Sequence, residues 1–228
     1  TSFKTLILSL PVLYLRFTLF NLRRTLMNKS FIIKIIVFCL VTINVSAIEK
    51  VILFGDSLMA GYGLPNEQHL SVVLQQSLEF DGHNIEIING SVSGSTSAGG
   101  LNIAEWTLSE NNIDLMILCL GANDMLRGIN PKETKNNLEE IIKIAKNKNI
   151  KVIIAGMIAP TSYGFGYKKS FDKIFSDLSK KYKLQLIPFL LEGVAQKPEF
   201  NLSDGMHPND QGTIIIGNTL KKAILENL

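Results

Sequence analysis

Three histidines, two cysteines and one tryptophan are all that this chain of 228 residues holds of those side chains. Each scarcity excludes something. Histidines and cysteines so few and so scattered form no metal-ligand cluster. Cys39 lies in an N-terminal apolar stretch, so Cys119 is the only cysteine of the remainder, and no internal disulfide can form there. No Gly-Lys-Ser/Thr closes the glycine- and serine-rich stretch from Asn89 to Gly100, which argues against a nucleotide phosphate loop. The formal net charge of +3 is also misleading. The first 47 residues hold six basic side chains (Lys4, Arg16, Arg23, Arg24, Lys29, Lys34) and no acidic one. Beyond them, 17 basic residues face 20 acidic ones, and a nucleic-acid partner loses its electrostatic basis.

Those 47 residues read as a leader. Met27-Asn28-Lys29 opens a basic segment that ends at Lys34, an apolar core runs from Ile35 to Ile43, and Val45-Ser46-Ala47 supplies the small residues a signal peptidase requires. The core is shorter than the roughly 20 residues of a membrane-spanning helix. Bulky Phe38 before Cys39 disfavours a lipoprotein signal. The expectation is therefore a signal peptide over 27–47 and a single domain over 48–228, exported to the periplasm or beyond. Residues 1–26 begin with Thr1, and their apolar run is interrupted by Pro11 and Arg16. They read as an over-extension of the reading frame upstream of Met27, with an uncleaved anchor as the rival.

Beyond the leader, short apolar runs alternate with segments of helical period. Val51 to Phe54, Ile85 to Ile88, Ile113 to Leu120, Lys151 to Ala155 and Leu184 to Ile187 read as strands. Between and after them, Gln68 to Phe80, Leu101 to Leu108, Pro131 to Asn147, Phe171 to Tyr182 and Asn209 to Leu228 read as helices. Pro131 suits a first helical turn, and Trp106 is expected to be buried against the sheet. This alternation argues for a parallel sheet between two helix layers. Ligands bind such sheets beyond the carboxyl ends of the strands.

Three stretches at the ends of the first three strands, and a fourth in a turn before the closing helix, are more polar than a buried sheet requires. Gly55-Asp56-Ser57-Leu58 ends the first strand and sets Ser57 at the crevice, as a nucleophile or as a helix N-cap. Asn89 to Ser97 follows the second strand, as a loop whose glycines admit close ligand approach or as a flexible linker. Gly121-Ala122-Asn123-Asp124 follows the third, where Asn123 could simply hold a turn. Asp204-Gly205-Met206-His207-Pro208 lies near the end. A carboxylate three residues before a histidine can reach its Nδ1 and leave Nε2 as a general base, or Asp204 could cap the closing helix. His69 and His83 have bland explanations at a helix start and in a turn.

Together the four blocks resemble the GDSL, or SGNH, hydrolases. The resemblance covers nearly all of 48–228. It implies a three-layer α/β/α sandwich with a five-stranded parallel sheet, the flavodoxin-like SGNH hydrolase fold. It implies Ser57 as nucleophile, Asp204 and His207 completing the triad, and an oxyanion hole from Ser57, Gly94 and Asn123. Gly61-Tyr62-Gly63, Leu126-Arg127-Gly128 and Pro188-Phe189 further resemble the bacterial periplasmic thioesterase, lysophospholipase and arylesterase subgroup. The usual Gly-x-Ser-x-Gly elbow of ordinary α/β-hydrolases is absent around Ser57.

The expected reaction is hydrolysis of an acyl ester or thioester (aryl ester, lysophospholipid or acyl-CoA type) through an acyl-enzyme, with no cofactor or metal. A sugar or cell-wall O-acetyl esterase is the alternative within hydrolases, and an inactive binding module the alternative outside them. Partners are expected to be limited to the small-molecule substrate and transient membrane lipid, with the protein a monomer. The loops after the third and fourth strands are unusually apolar. Met125, Leu126, Ile129, Met157, Ile158, Tyr163 and Phe165 are expected to line a shallow acyl groove.

Overall fold

Val51, Ile52, Leu53 and Phe54 have almost no exposure to solvent, as a strand covered on both faces requires. The computed structural model describes residues 48–109 and 112–228, all within one compact unit. Residues 1–47, with the expected leader, lie outside the described residues.

Five parallel strands form one sheet: β1 (Lys50–Gly55), β2 (Glu86–Asn89), β3 (Leu115–Cys119), β4 (Lys151–Ala155) and β5 (Gln185–Ile187). Their order is β2-β1-β3-β4-β5. Among the described residues, seven α-helices connect and cover them: α1 (Ser57–Ala60), α2 (Leu70–Phe80), α3 (Ser97–Thr107), α4 (Ala122–Leu126), α5 (Pro131–Asn147), α6 (Phe165–Tyr182) and α7 (Asp210–Leu225). Helices α2 and α7 pack together in one layer, and α3, α5 and α6 pack in the other. The result is the expected α/β/α sandwich. Its core is mostly aliphatic from the central strands, with Phe54 of β1 among them, and is closed by Phe171, Phe175 and Leu178 of α6 and by Ile216, Leu220 and Ile224 of α7. Among the described residues, no helix is long and apolar enough to cross a membrane.

Trp106 corrects the sequence reading: it is 83% exposed. Helix α3 turns Gly100 and Ala104 to the sheet instead. A Cβ on Gly100 would lie 2.3 Å from Leu120 Cδ1, so the helix sits too close for a large side chain at that contact. The tryptophan follows on the outer face.

The strand order reverses direction at β1, whose neighbours are β2 on one side and β3 on the other. Connections leave β1 and β3 toward opposite faces, which opens a crevice beyond their carboxyl ends. Ser57 follows β1 and Asn123 follows β3.

Candidate active site

Ser57 is not the cap of its helix. Asp56 is the N-cap of α1, and its Oδ1 accepts from the Leu58 amide at 3.1 Å. The Ser57 side chain is thereby left free, and its Oγ lies 2.9 Å from His207 Nε2. On the far side of the ring, His207 Nδ1 is 2.7 Å from Asp204 Oδ2. Asp204 Oδ1 accepts from the amides of Met206 and His207 at 2.9 and 3.0 Å. These bonds, the His207 amide foremost, hold the Asp204 carboxyl down at about 2. An ionised Asp204 only accepts, so Nδ1 carries the ring proton and Nε2 accepts from the serine hydroxyl.

Asp204 does not cap α7 either. That cap is Asn209, whose side chain accepts from the Gly212 amide at 3.0 Å. Tyr62 lies over the imidazole with ring centroids 4.4 Å apart, which restricts the orientation of the ring.

The second loop is not a free linker. Ser91 Oγ donates to the Leu53 carbonyl at 2.9 Å, and the Val92 amide donates to Gly55 at 3.0 Å, which fastens the loop along the end of β1. Gly94 has φ +76, a conformation that favours glycine, and nothing lies within 4 Å of where its Cβ would be. Arg127 Nη2 donates to the Gly94 carbonyl at 3.0 Å, tying this loop to the chain after β3. Among the described residues, the amides of Ser57 and Gly94 have no protein acceptor. Asn123 lies on the same cavity, with Nδ2 3.3 Å from Asp56 Oδ2.

That cavity has a volume of about 560 Å³ and a mostly apolar wall. Of the residues expected in an acyl groove, Met125, Leu126, Met157 and Ile158 line it. Ile129, Tyr163 and Phe165 do not, and this corrects the sequence reading. Gly128, at φ +65, turns the chain before Ile129, whose carbonyl accepts from Tyr167 Oη at 3.0 Å. Tyr163 packs against the core and the Tyr167 ring. Phe165 is 84% exposed because α6 begins with it, well before the expected start at Phe171.

Their places in the wall are taken by Leu58, Tyr62, Phe189, Leu191 and Met206. Two of these, Tyr62 and Phe189, stand in short motifs that the sequence singled out without a role. Leu191 and Met206 carried no signal of their own.

Two buried carboxylates also went unread. Asp56 is 1% exposed, and burial pushes its carboxyl up to about 6. Asp124, fully buried, accepts from the Ser97 amide at 2.7 Å, from Ser97 Oγ, and from Thr134 Oγ1 at 3.1 Å. It joins the start of α3 to α4 and α5. Among the described residues, no group of three or more His, Cys, Asp or Glu could hold a metal ion.

A serine, a histidine and a carboxylate in relay, at the switch point of a parallel α/β sheet, define a serine hydrolase. Comparison with known proteins carries this further. Residues 53–213 match the model of the GDSL-like Lipase/Acylhydrolase family, and the chain belongs to that family. It is 35% identical over 194 residues to an arylesterase of Vibrio mimicus, covering 85% of this chain and 96% of that one. It is 30% identical over 185 residues to thioesterase 1/protease 1/lysophospholipase L1 of Escherichia coli K12, covering 81% of this chain and 88% of that one. Among solved structures, psychrotrophic esterase EstA from Pseudoalteromonas sp., inhibited by monoethylphosphonate, superposes with a TM-score of 0.75 at 29% identity. That match covers 78% of this chain and 97% of EstA. The protein is an ester hydrolase.

Proposed function

We propose that the chain is an exported hydrolase of acyl esters and thioesters, working through an acyl-enzyme on Ser57. The observation that carries this reading is the Ser57–His207–Asp204 relay opening on one apolar cavity. Ser57 Oγ attacks the acyl carbonyl while its proton passes to His207 Nε2. Negative charge gathers on the carbonyl oxygen, facing the amides of Ser57 and Gly94 and the carboxamide of Asn123. The imidazolium then gives its proton to the departing alcohol or thiol. Water, deprotonated by the same Nε2, splits the ester bond to Ser57 and releases the acid.

The wall of Met125, Leu126, Met157, Ile158 and Leu191 suits an acyl chain longer than acetyl. The relatives' names support aryl esters, acyl thioesters and lysophospholipids as the substrate class. The reaction as written needs no cofactor, and its partners are the small-molecule substrate and, transiently, membrane lipid, with the protein acting as a monomer. The leader reading supports cleavage after Ala47 and release into the periplasm. Intact mass of the exported protein should begin at Ile48, and an N-terminus upstream would overturn that part. A fluorophosphonate should label Ser57 alone, with the label lost in Ser57→Ala. An unlabelled but folded protein would overturn the hydrolase reading in favour of a binding module.

A further inference from the structure

The Asn123 carboxamide has two ends of nearly equal size and opposite polarity. Only the nitrogen end can serve an oxyanion. Nothing in the shape of the side chain decides which end faces the cavity; its polar neighbours must. Asp56 is the polar neighbour. Its Oδ2 lies 3.3 Å from Asn123 Nδ2, while its Oδ1 is occupied by the Leu58 amide at 3.1 Å.

We propose that Asp56 is a positioning residue that sets the polarity of the Asn123 carboxamide, so that one amide hydrogen is held by Asp56 and the other is left for the reacting carbonyl oxygen. This rests on the reading of Asn123 as an oxyanion donor given above. A carboxylate has no hydrogen to give, so an Asn123 turned the other way would set oxygen against oxygen at Asp56. It would also present a second oxygen to the developing oxyanion. Both contacts are repulsive, and both are relieved by the orientation observed. The same carboxylate joins the two sides of the switch point. Through its own backbone it precedes Ser57 at the end of β1, and through Asn123 it reaches α4, the short helix after β3. Burial raises the carboxyl of Asp56, and the hydrogen bonds from Leu58 and Asn123 draw it back toward the ionised, acceptor-only form.

A helix cap would need only Oδ1, and that separates the two roles. Asp56→Asn keeps a single acceptor oxygen. If that oxygen continues to cap Leu58, the new NH₂ group faces Asn123 and draws the Asn123 oxygen toward it, which reverses the carboxamide. The variant therefore keeps the cap, loses a buried charge and inverts one oxyanion donor.

The test is a cycle of Asp56→Asn, Asn123→Ala and the double variant, with kcat and KM on an aryl ester and circular dichroism for folding. Wild type and each variant are first labelled with a fluorophosphonate. Asn123→Ala should lower kcat on the order of 10²-fold, as for loss of one oxyanion donor. Asp56→Asn alone should lower kcat by at least about tenfold with KM moved less than about twofold, the signature of a contact made in the transition state. In the Asn123→Ala background, Asp56→Asn should have no further effect on kcat. Asp56→Ser, whose hydroxyl can still cap Leu58, should also lose kcat, and it replaces Asp56→Asn if that variant does not fold.

Full turnover in folded Asp56→Asn would overturn the proposal. So would an equal loss with and without Asn123, which would mean that Asp56 acts on His207 or on the fold. A loss of less than about tenfold in Asn123→Ala would remove the premise that Asn123 serves the oxyanion hole. Failure of wild type to label would instead strike the hydrolase reading itself.

Discussion

His207 Nε2 stands 2.9 Å from Ser57 Oγ across 150 positions of sequence. The two arrive from opposite ends of the chain. Ser57 is set by β1 and the first turn of α1, and His207 by a loop held before α7. That loop is fixed by short-range bonds, from the amides of Met206 and His207 to Asp204 and from the Leu202 amide to the His207 carbonyl at 2.8 Å. His207 is thus held largely by its own loop, with the Tyr62 ring over its imidazole, and the fold brings it to the serine.

Replacing Asp204 tests that division. Asp204→Asn should lower kcat on the order of 10³–10⁴-fold, because the amide no longer dictates which ring nitrogen carries the proton. Folding at neutral pH should be nearly unchanged, since Asn209 and not Asp204 caps α7. The group's pH signature follows from its depressed value. The stability that ionised Asp204 contributes is present above the ordinary carboxyl range and is lost only as pH falls through about 2. Asp204 thus stays ionised across the activity range. A variant that keeps most of its turnover but unfolds at lower temperature would mean that Asp204 is structural.

The cavity makes a quantitative demand on substrates. Each methylene moved from water into its wall is worth about 0.8 kcal/mol, or about fourfold in kcat/KM. A series of p-nitrophenyl esters from acetyl to octanoyl should therefore rise steeply and then level off as the cavity fills. Ile158 is half-exposed on the rim, so Ile158→Trp should fold and shift the plateau to shorter chains. A flat series in the wild type would mean that the acyl chain lies elsewhere and would favour an acetyl esterase.

How much of this was legible varied with the range of the interaction responsible. Helix α5 and strand β4 match the sequence reading residue for residue, because Pro131 opens the helix and apolar periodicity carries both elements. The start of α3 was not legible. Ser97 reads as part of a loop, yet Thr96 caps it by accepting from Gly99, and Asp124, 27 residues away, anchors its first amide. The four chemical blocks were legible because each is local and polar, three at the end of an apolar strand and the fourth just before the closing helix. Asp56 lay inside one of them and read only as a turn former, since its bond to Asn123 spans 67 positions. The cavity wall was half legible for the same reason. Loop hydrophobicity says that a residue is apolar, but a turn such as that at Gly128 decides which way it faces.

Asp56 should also mark the pH dependence of stability. Its folded carboxyl is raised from 3.8 to about 6, so its favourable contribution is fully present below pH 4 and is lost as pH rises through 6. Two pK units correspond to about 3 kcal/mol. His207, Asp124 and Cys119 are the titratable groups that interact with it electrostatically, and all three are retained in Asp56→Asn. In urea titrations, wild type should therefore lose about 3 kcal/mol relative to Asp56→Asn between pH 4 and pH 7. Parallel stability curves would show that the carboxyl is not raised.

The last prediction separates the second buried carboxylate from the first. Asp124 lies beside Asn123 in sequence, but its partners are Ser97 and Thr134, and Ser97 also accepts from Asn137 Nδ2 at 3.0 Å. All of these are buried or half-buried and join α3, α4 and α5. Removing the carboxylate leaves the Ser97 amide and two hydroxyls without their acceptor. Asp124→Ala should therefore destabilise the protein by about 2–4 kcal/mol. Asp124→Asn should cost less, because the carboxamide oxygen can keep the Ser97 amide. The effect on catalysis should have a different shape from that of Asp56→Asn. The start of α3 follows Gly94 by only three residues, so a loosened Ser97 disturbs the loop rather than one donor, and KM should move together with kcat. A stable Asp124→Ala that loses only kcat would place Asp124 with the oxyanion machinery, against the role its bonds describe.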